Sequence, residues 1–245
     1  MKPKLYIATP CYGGMVHWSY TFSLLETCAY LYRNGVEVIC QPHPGDSLVP
    51  RARNVLVAKF MGTDCTHILF ADADQKWQPE PILRMIHASM KHEEMAVICG
   101  AVPRKRLPIS FVANLKGAVG DKITMHDPTG YIELHDAGTG LLMIRRDALV
   151  RLMDAYPQRK CYFRDERDEI SEFEYLLFDC FVDRDLRYLS EDYGFSRLWQ
   201  SIGGRVWLDP DMQISHFGMQ EFSGNILESL LGDVETKKGE TVCQR

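Results

Sequence analysis

Asp72 and Asp74 stand two residues apart, directly behind the apolar run His67–Ala71, in the stretch HILFADADQKW. Two carboxylates so close repel each other unless something positive is held with them. Oxygen ligands at the rim of a crevice suit a hard divalent cation such as Mn2+ or Mg2+. An ion held that way keeps room for waters and substrate phosphates, and it can stabilise a departing diphosphate as a Lewis acid. The Asp-x-Asp spacing recurs at Asp183/Asp185 and Asp209/Asp211, so position must discriminate. Asp183 and Asp185 sit in a charge-rich segment and read as a solvated face. Asp209-Pro210-Asp211 reads as a turn. Only Asp72/Asp74 follows a five-residue apolar strand in the half of the chain where strands and helices alternate.

A second group of chemically capable residues lies in LSEDYGFSRLWQSIGGRVWLDPDMQISHFG, residues 189–218. Ser190, Glu191 and Asp192 precede a run with helical spacing (Phe195, Leu198, Trp199, Ile202). Ser190 suits a helix cap, and acidic residues complement the positive end of the helix. Capping occupies one carboxylate and leaves the other to face a pocket, where it can act as general base on a hydroxyl. His216 closes a short apolar run; taken alone, such a histidine is more often a structural residue than a metal ligand.

The elements that must position these groups alternate. Leu5–Ala8 reads as a strand stopping at Thr9-Pro10. Apolar residues at helical spacing (Phe22, Leu25, Ala29, Tyr32) predict a helix over Ser19–Asn34, ended by Asn34-Gly35. Val36–Cys40 reads as a strand, and 41–50, with three prolines, as a loop. A helix over Arg51–Met61, a strand at His67–Ala71, a helix over Pro79–Lys91 and a strand at Met95–Gly100 follow. Strands alternating with helices predict an α/β layer with a mostly parallel sheet, whose ligands bind outside the carboxyl ends of the strands. Beyond residue 100 the pattern changes. Pro108–Leu115, Tyr131–His135, Leu141–Ile144, Val206–Leu208 and Met212–Ser215 read as strands, and Arg146–Ala155 and Glu191–Ile202 as helices. The polar stretch 232–245 reads as a tail. One domain over residues 1–231 is expected, in two halves, 1–100 and 101–231, that differ in pattern.

A net charge of −5 gives no support to broad nucleic-acid or anionic-membrane binding. The eight cysteines are scattered without zinc-like spacing, as in a reducing compartment. No stretch approaches a membrane span. The expectation is a cytoplasmic protein.

Taken in order, YIATPCYGG, SLVPRARNVLVAKF, HILFADAD, AGTGLLMIRRDAL, SEDYGFSRLWQSIGGRVWLDP and ISHFG resemble the GT-A fold of nucleotide-sugar-dependent glycosyltransferases. The likeness is to the single-domain bacterial, phage and viral type, and the pieces span residues 5 to about 218. The resemblance implies a nucleotide-sugar-binding half (1–100) and an acceptor and catalytic half (101–231), with Thr9, Pro10 and Tyr12 lining the nucleotide pocket, Asp46 on the nucleoside, and Arg51 and Asn54 facing the donor. It implies that Asp72, Asp74 and His216 hold Mn2+ or Mg2+, with Asp72 also on the substrate. Gly138, Thr139 and Gly140 would underlie the transferred sugar, and Asp192 or Glu191 would be the base of an inverting enzyme. The common DADD motif is here DADQ, with Gln75 last, which leaves two acidic positions.

The function so implied is metal-dependent transfer of a sugar from a UDP- or GDP-sugar to an acceptor hydroxyl on a glycan or glycoconjugate. A sugar-binding module of the same fold is the alternative. A haloacid dehalogenase-type phosphatase is disfavoured, because its nucleophilic Asp usually ends the chain's first strand, whereas this pair ends the third. A nucleotidyltransferase lacks its basic residue in TPCYGGMVHW.

Overall fold

The computed structural model describes residues 2–116, 123, 125–163 and 171–230. All five residues of the strand His67–Ala71 (β3) are buried, because side chains alternate between two covered faces of the sheet. Ile68 and Phe70 join a core with Leu56, Val57 and Phe60 on one face, whereas Leu69 and Ala71 join Ile82, Met85 and Ile86 on the other. The helices Val49–Met61 (α2), Arg146–Ala155 (α4) and Glu191–Ser201 (α5) supply the first core. Trp18–Arg33 (α1) and Pro79–Lys91 (α3) cover the second.

The other strands of the main sheet are Lys4–Cys11 (β1), Glu37–Pro44 (β2), Val97–Gly100 (β5), Ala113–Leu115 (β6), Ile132–Ala137 (β7), Leu141–Arg145 (β8) and Val206–Asp209 (β11). Their order is β2-β1-β3-β8-β5-β11-β7-β6. The pairings set β2, β1, β3, β5, β11 and β6 in one direction and β8 and β7 in the other. This is the expected class: a mixed, mostly parallel sheet flanked by helices. β8 lies between β3 and β5, so a strand from beyond residue 100 completes the sheet of the first hundred. Gln75–Lys76 (β4) pairs with Ile214–Phe217 (β12), which pairs in turn with Glu221–Gly224 (β13). The hairpin Phe181–Val182 (β9) with Tyr188–Leu189 (β10) stands apart.

Three expectations change. The second strand does not stop at Cys40 but runs on through Gln41-Pro42-His43-Pro44, paired with β1 up to Cys11. It tolerates two prolines because it is the sheet's edge, where an absent N–H can face away from the ladder. Within 108–115 only Ala113–Leu115 is strand. In α1 the residues that carry the helical signal point outward: Phe22, Leu25 and Tyr32 are exposed, whereas Ser23 and Thr27 are buried. Trp77 explains the inversion. Its backbone N–H donates to Ser23 Oγ at 3.1 Å, its carbonyl accepts from the same hydroxyl at 2.9 Å, and its indole Nε1 donates to Thr27 Oγ1 at 3.0 Å. Small hydroxyl residues make room for a buried indole and satisfy it. The stretch 232–245 lies outside the described residues.

Candidate active site at the strand ends

Where β1 and β3 end, a cleft of about 620 Å3 opens, lined among others by Pro10, Tyr12, Asp46, Arg53, Asp72 and Asp74. The fold brings these together because β1 and β3 are parallel neighbours and finish at the same edge. His17 closes one side. Its backbone N–H donates to Ala73 O at 2.8 Å, its Nδ1 caps α1 by accepting from Ser19 N–H at 3.4 Å, and its ring stacks on Phe217 at 4.2 Å. The Tyr12 ring is 66% exposed and therefore free to be covered by a ligand.

The positive partners of the two aspartates are residues of the chain itself. Arg53, almost wholly buried, donates from Nη2 to Asp72 Oδ1 at 3.1 Å and from Nε to Glu191 Oε1 at 3.4 Å. Its remaining Nη1 is buried without a partner. Lys105 Nζ lies 2.5 Å from Asp74 Oδ2. The other Asp74 oxygen faces His216 Nε2 at 3.4 Å, placed there because β12 pairs His216 with Gln75. His216 Nδ1 lies 2.9 Å from Pro103 O; a carbonyl only accepts, so Nδ1 carries the proton and Nε2 turns its lone pair to Asp74 when neutral. Burial works to raise the Asp74 pKa, but His216 and Lys105 hold it at about 2. Asp74 is therefore ionised at any pH near neutrality.

This donor set suits a hard cation. The Asp74 carboxylate lines the cleft and His216 Nε2 faces it, two donors that leave further positions for phosphates and water. The third expected ligand, Asp72, lines the same cleft, with its Oδ1 on Arg53. Among the described residues, the one group of three convergent ligand side chains is His92, Glu94 and His126, away from these residues.

The acidic pair reaches the cleft indirectly, through Arg53. Glu191 is its ion-pair partner. Ser190 holds the N-cap position of α5, but its hydroxyl bonds the Asp192 carboxylate instead of capping a backbone N–H. Asp192 Oδ1 also accepts from Tyr193 N–H at 2.8 Å. Burial pushes the Asp192 pKa up, the Ser190 hydrogen bond opposes this, and Glu191 adds to the rise. The segment Gly138–Gly140 joins the two acidic groups. Asp72 N–H donates to Gly140 O at 2.9 Å, and Ala137 N–H donates to Ser196 Oγ, which donates to the Asp192 carbonyl at 3.1 Å. Two glycines are needed here by space. A Cβ on Gly138 would meet Val112 Cγ1 at 2.9 Å, and one on Gly140 would run into the Gln75 amide. Gln75 is itself fully buried, with neither amide atom partnered.

Three residues expected to face the donor are engaged in the fold. Thr9 is buried and its hydroxyl bonds the Tyr20 hydroxyl. Asn54 clamps the 177–178 backbone: its Oδ1 accepts from Leu177 and Phe178 N–H, each at 2.9 Å, and its Nδ2 donates to Phe178 O at 2.7 Å. Thr139 is also buried. Arg51 holds Asp46, donating from Nη2 to Oδ1 at 2.8 Å and from Nε to Oδ2 at 2.9 Å. Burial would raise the Asp46 pKa, but Arg51 and the Leu48 N–H keep it below the usual carboxylate range. Sequence reasoning missed Arg53, His17 and Phe217. Arg53 lay inside the quoted ARN stretch. Lys105 stands in the basic run Arg104-Lys105-Arg106, a signal for charge alone, because its contact with Asp74 depends on a loop between distant strands.

The chain matches no protein-family model and no curated protein. It is similar to a glycosyltransferase involved in the glycosylation of the major capsid of PBCV-1, at 12% identity and a TM-score of 0.35, over 64% of this chain and 66% of that one. It is similar to mannose-1-phosphate geranyltransferase from Thermus thermophilus, at 11% identity and 0.44, over 85% and 73%. It is also similar to S. aureus TarS 1-349, at 14% identity and 0.43, over 85% and 58%; TarS 1-349 is known in complex with UDP and with UDP-GlcNAc as well. The chain thus spans under two thirds of the TarS structure. At these scores the likeness is one of broad layout and transfers no residue's role.

Proposed function

We propose that this chain is a glycosyltransferase that moves a sugar from a nucleotide-diphosphate sugar, of the UDP or GDP type, to an acceptor hydroxyl of a glycan or glycoconjugate. The observation that supports this most is the Asp74–His216 pair, 3.4 Å apart, with Asp74 on the wall of a cleft that also presents the open face of Tyr12. Asp74 Oδ1 and His216 Nε2 would hold Mn2+ or Mg2+, which supplies Lewis-acid stabilisation of the leaving diphosphate when bound. Arg53 keeps Asp72 and Glu191 from repelling each other and fixes the start of α5. Lys105, ion-paired with Asp74, would add positive charge beside that cation. Asp192, its basicity raised by burial, takes the proton of the acceptor hydroxyl in an inverting displacement.

One observation favours the alternative of a non-catalytic sugar-binding module: neither Glu191 nor Asp192 lines the cleft. Release of nucleoside diphosphate from a donor panel with Mn2+ separates the two readings. In thermal-shift measurements the true donor raises Tm by mass action in the presence of Mn2+. Asp74→Asn is expected to keep the fold and lose that metal-dependent rise. An undiminished rise in Asp74→Asn defeats the assignment.

A further inference from the structure

At the C-terminal end of α3, three side chains that the cleft does not use converge. His92 caps that end of the helix, Glu94 lies in the turn behind it, and His126 begins the turn that leads into β7. One ligand atom from each lies within 4.8 Å of the other two. The two imidazoles pack edge to face with centroids 4.8 Å apart, and His126 Nε2 is 2.9 Å from Glu94 Oε1.

Behind His126, its Nδ1 lies 3.0 Å from Thr129 Oγ1, a hydroxyl that also accepts from Tyr131 N–H at 3.3 Å and contacts the His126 carbonyl at 3.5 Å. In the tautomer that carries its proton on Nδ1 and donates it to Thr129, the Nε2 lone pair points at the Glu94 carboxylate. A cation shared by the two then satisfies both, with the imidazole of His92 as a third ligand on the same side. Fixing a ligand imidazole through its other nitrogen is what the outer shell of a metal site does. The backing is rigid: Trp207 is buried, its ring meets His126 at 5.4 Å, and its Nε1 donates to Glu94 O at 3.1 Å.

We propose that His92, Glu94 and His126 form a structural metal site of the zinc class. It would fasten the 125–132 hairpin, closed by the Met125–Ile132 bridge, to the end of α3. Two imidazoles and one carboxylate, with a fourth position left to water, match the ligand set and borderline softness of Zn2+. Tetrahedral bonds of about 2.1 Å set neighbouring ligand atoms roughly 3.4 Å apart. The widest present separation closes by rotation of the Glu94 side chain, which is 38% exposed, and of the half-buried His92.

The test is Co2+ and Zn2+ titration of the full chain without an affinity tag, after chelator treatment. One equivalent of Co2+ is expected to give visible bands of a nitrogen–oxygen site and no thiolate charge-transfer band. His126→Ala and Glu94→Gln are expected to abolish stoichiometric binding while circular dichroism of the metal-free proteins stays unchanged. Thr129→Val should weaken binding by roughly 10- to 100-fold. Asp74→Asn should keep the equivalent that His126→Ala loses, which separates this site from the cleft. Absence of binding, thiolate bands from the cysteines, or full retention in both His126→Ala and Glu94→Gln overturns the proposal. Should His126→Ala lose its fold, Glu94→Gln decides, since its side chain reaches solvent.

Discussion

Arg53 carries most of the cleft's electrostatic arrangement, and no spacing rule would have selected it. Its guanidinium lies between Asp72 and Glu191, which are 19 and 138 positions away along the chain. A planar fork with donors on two edges bridges two carboxylates in a way a lysine cannot. Asp192 is the residue whose environment makes a pH prediction. Its pKa is raised by burial and partly restrained by the Ser190 hydroxyl. A base must be deprotonated, so kcat/KM should fall as pH drops through this elevated value, above the ordinary aspartate range. Ser190→Ala removes a hydrogen bond that favours the charged form, so it should shift that acidic limb to higher pH. A limb that stays in place, measured from pH–rate profiles of both proteins, removes Asp192 from the role.

At the scale of elements, α1 shows how a correct helix can present an unexpected face. Phe22, Leu25 and Tyr32 repeat at helical spacing, yet they meet solvent, and Ser23 and Thr27 meet Trp77. Phe22→Ser should therefore change stability by no more than about 0.5 kcal/mol, as for surface positions in general. Thr27→Val keeps the shape but leaves the Trp77 indole N–H unpaired in the core, which costs about 1–3 kcal/mol. Urea unfolding of the two variants checks the ordering. If Phe22→Ser is the more destabilising, the exposed face is covered in solution. The short strand β4 is the other decisive element. Two residues long, it offers no periodicity to detect, yet its pairing with β12 sets His216 beside Asp74.

At the scale of the whole molecule, the sheet is closed by contacts that join distant stretches of chain. β8 sits between β3 and β5, and Arg84 of α3 clamps Asp209 at the end of β11 with contacts of 2.7–3.0 Å. Asp209 is fully buried, and burial raises its pKa against the opposing pull of Arg84. Arg84→Met leaves that carboxylate buried and unpaired, a loss of about 3 kcal/mol at neutral pH. The sign with pH follows from linkage. A folded pKa above the unfolded one penalises the folded state at pH above it, and the penalty fades as pH falls and Asp209 takes up a proton. Denaturation of Arg84→Met should thus approach that of the parent on acidification; an equal deficit at every pH contradicts this account. Among the described residues no helix is long and apolar enough to cross a membrane.

Local chemistry was legible in the chain. The strand His67–Ala71, the helices Pro79–Lys91 and Arg146–Ala155, and the position of Asp72 and Asp74 at a strand end follow from apolar runs and their period, because those patterns are set by each element's own geometry. The acidic first turn of α5 was equally local. The tertiary structure alone decided which charges neutralise the aspartates, which of Thr9, Asn54 and Thr139 are consumed by packing, and which face of α1 is buried. Those outcomes depend on contacts between residues tens of positions apart, where the sequence pattern carries no register. A side chain's partner across such a gap is fixed by how the layers dock, and docking is a property of the assembled core.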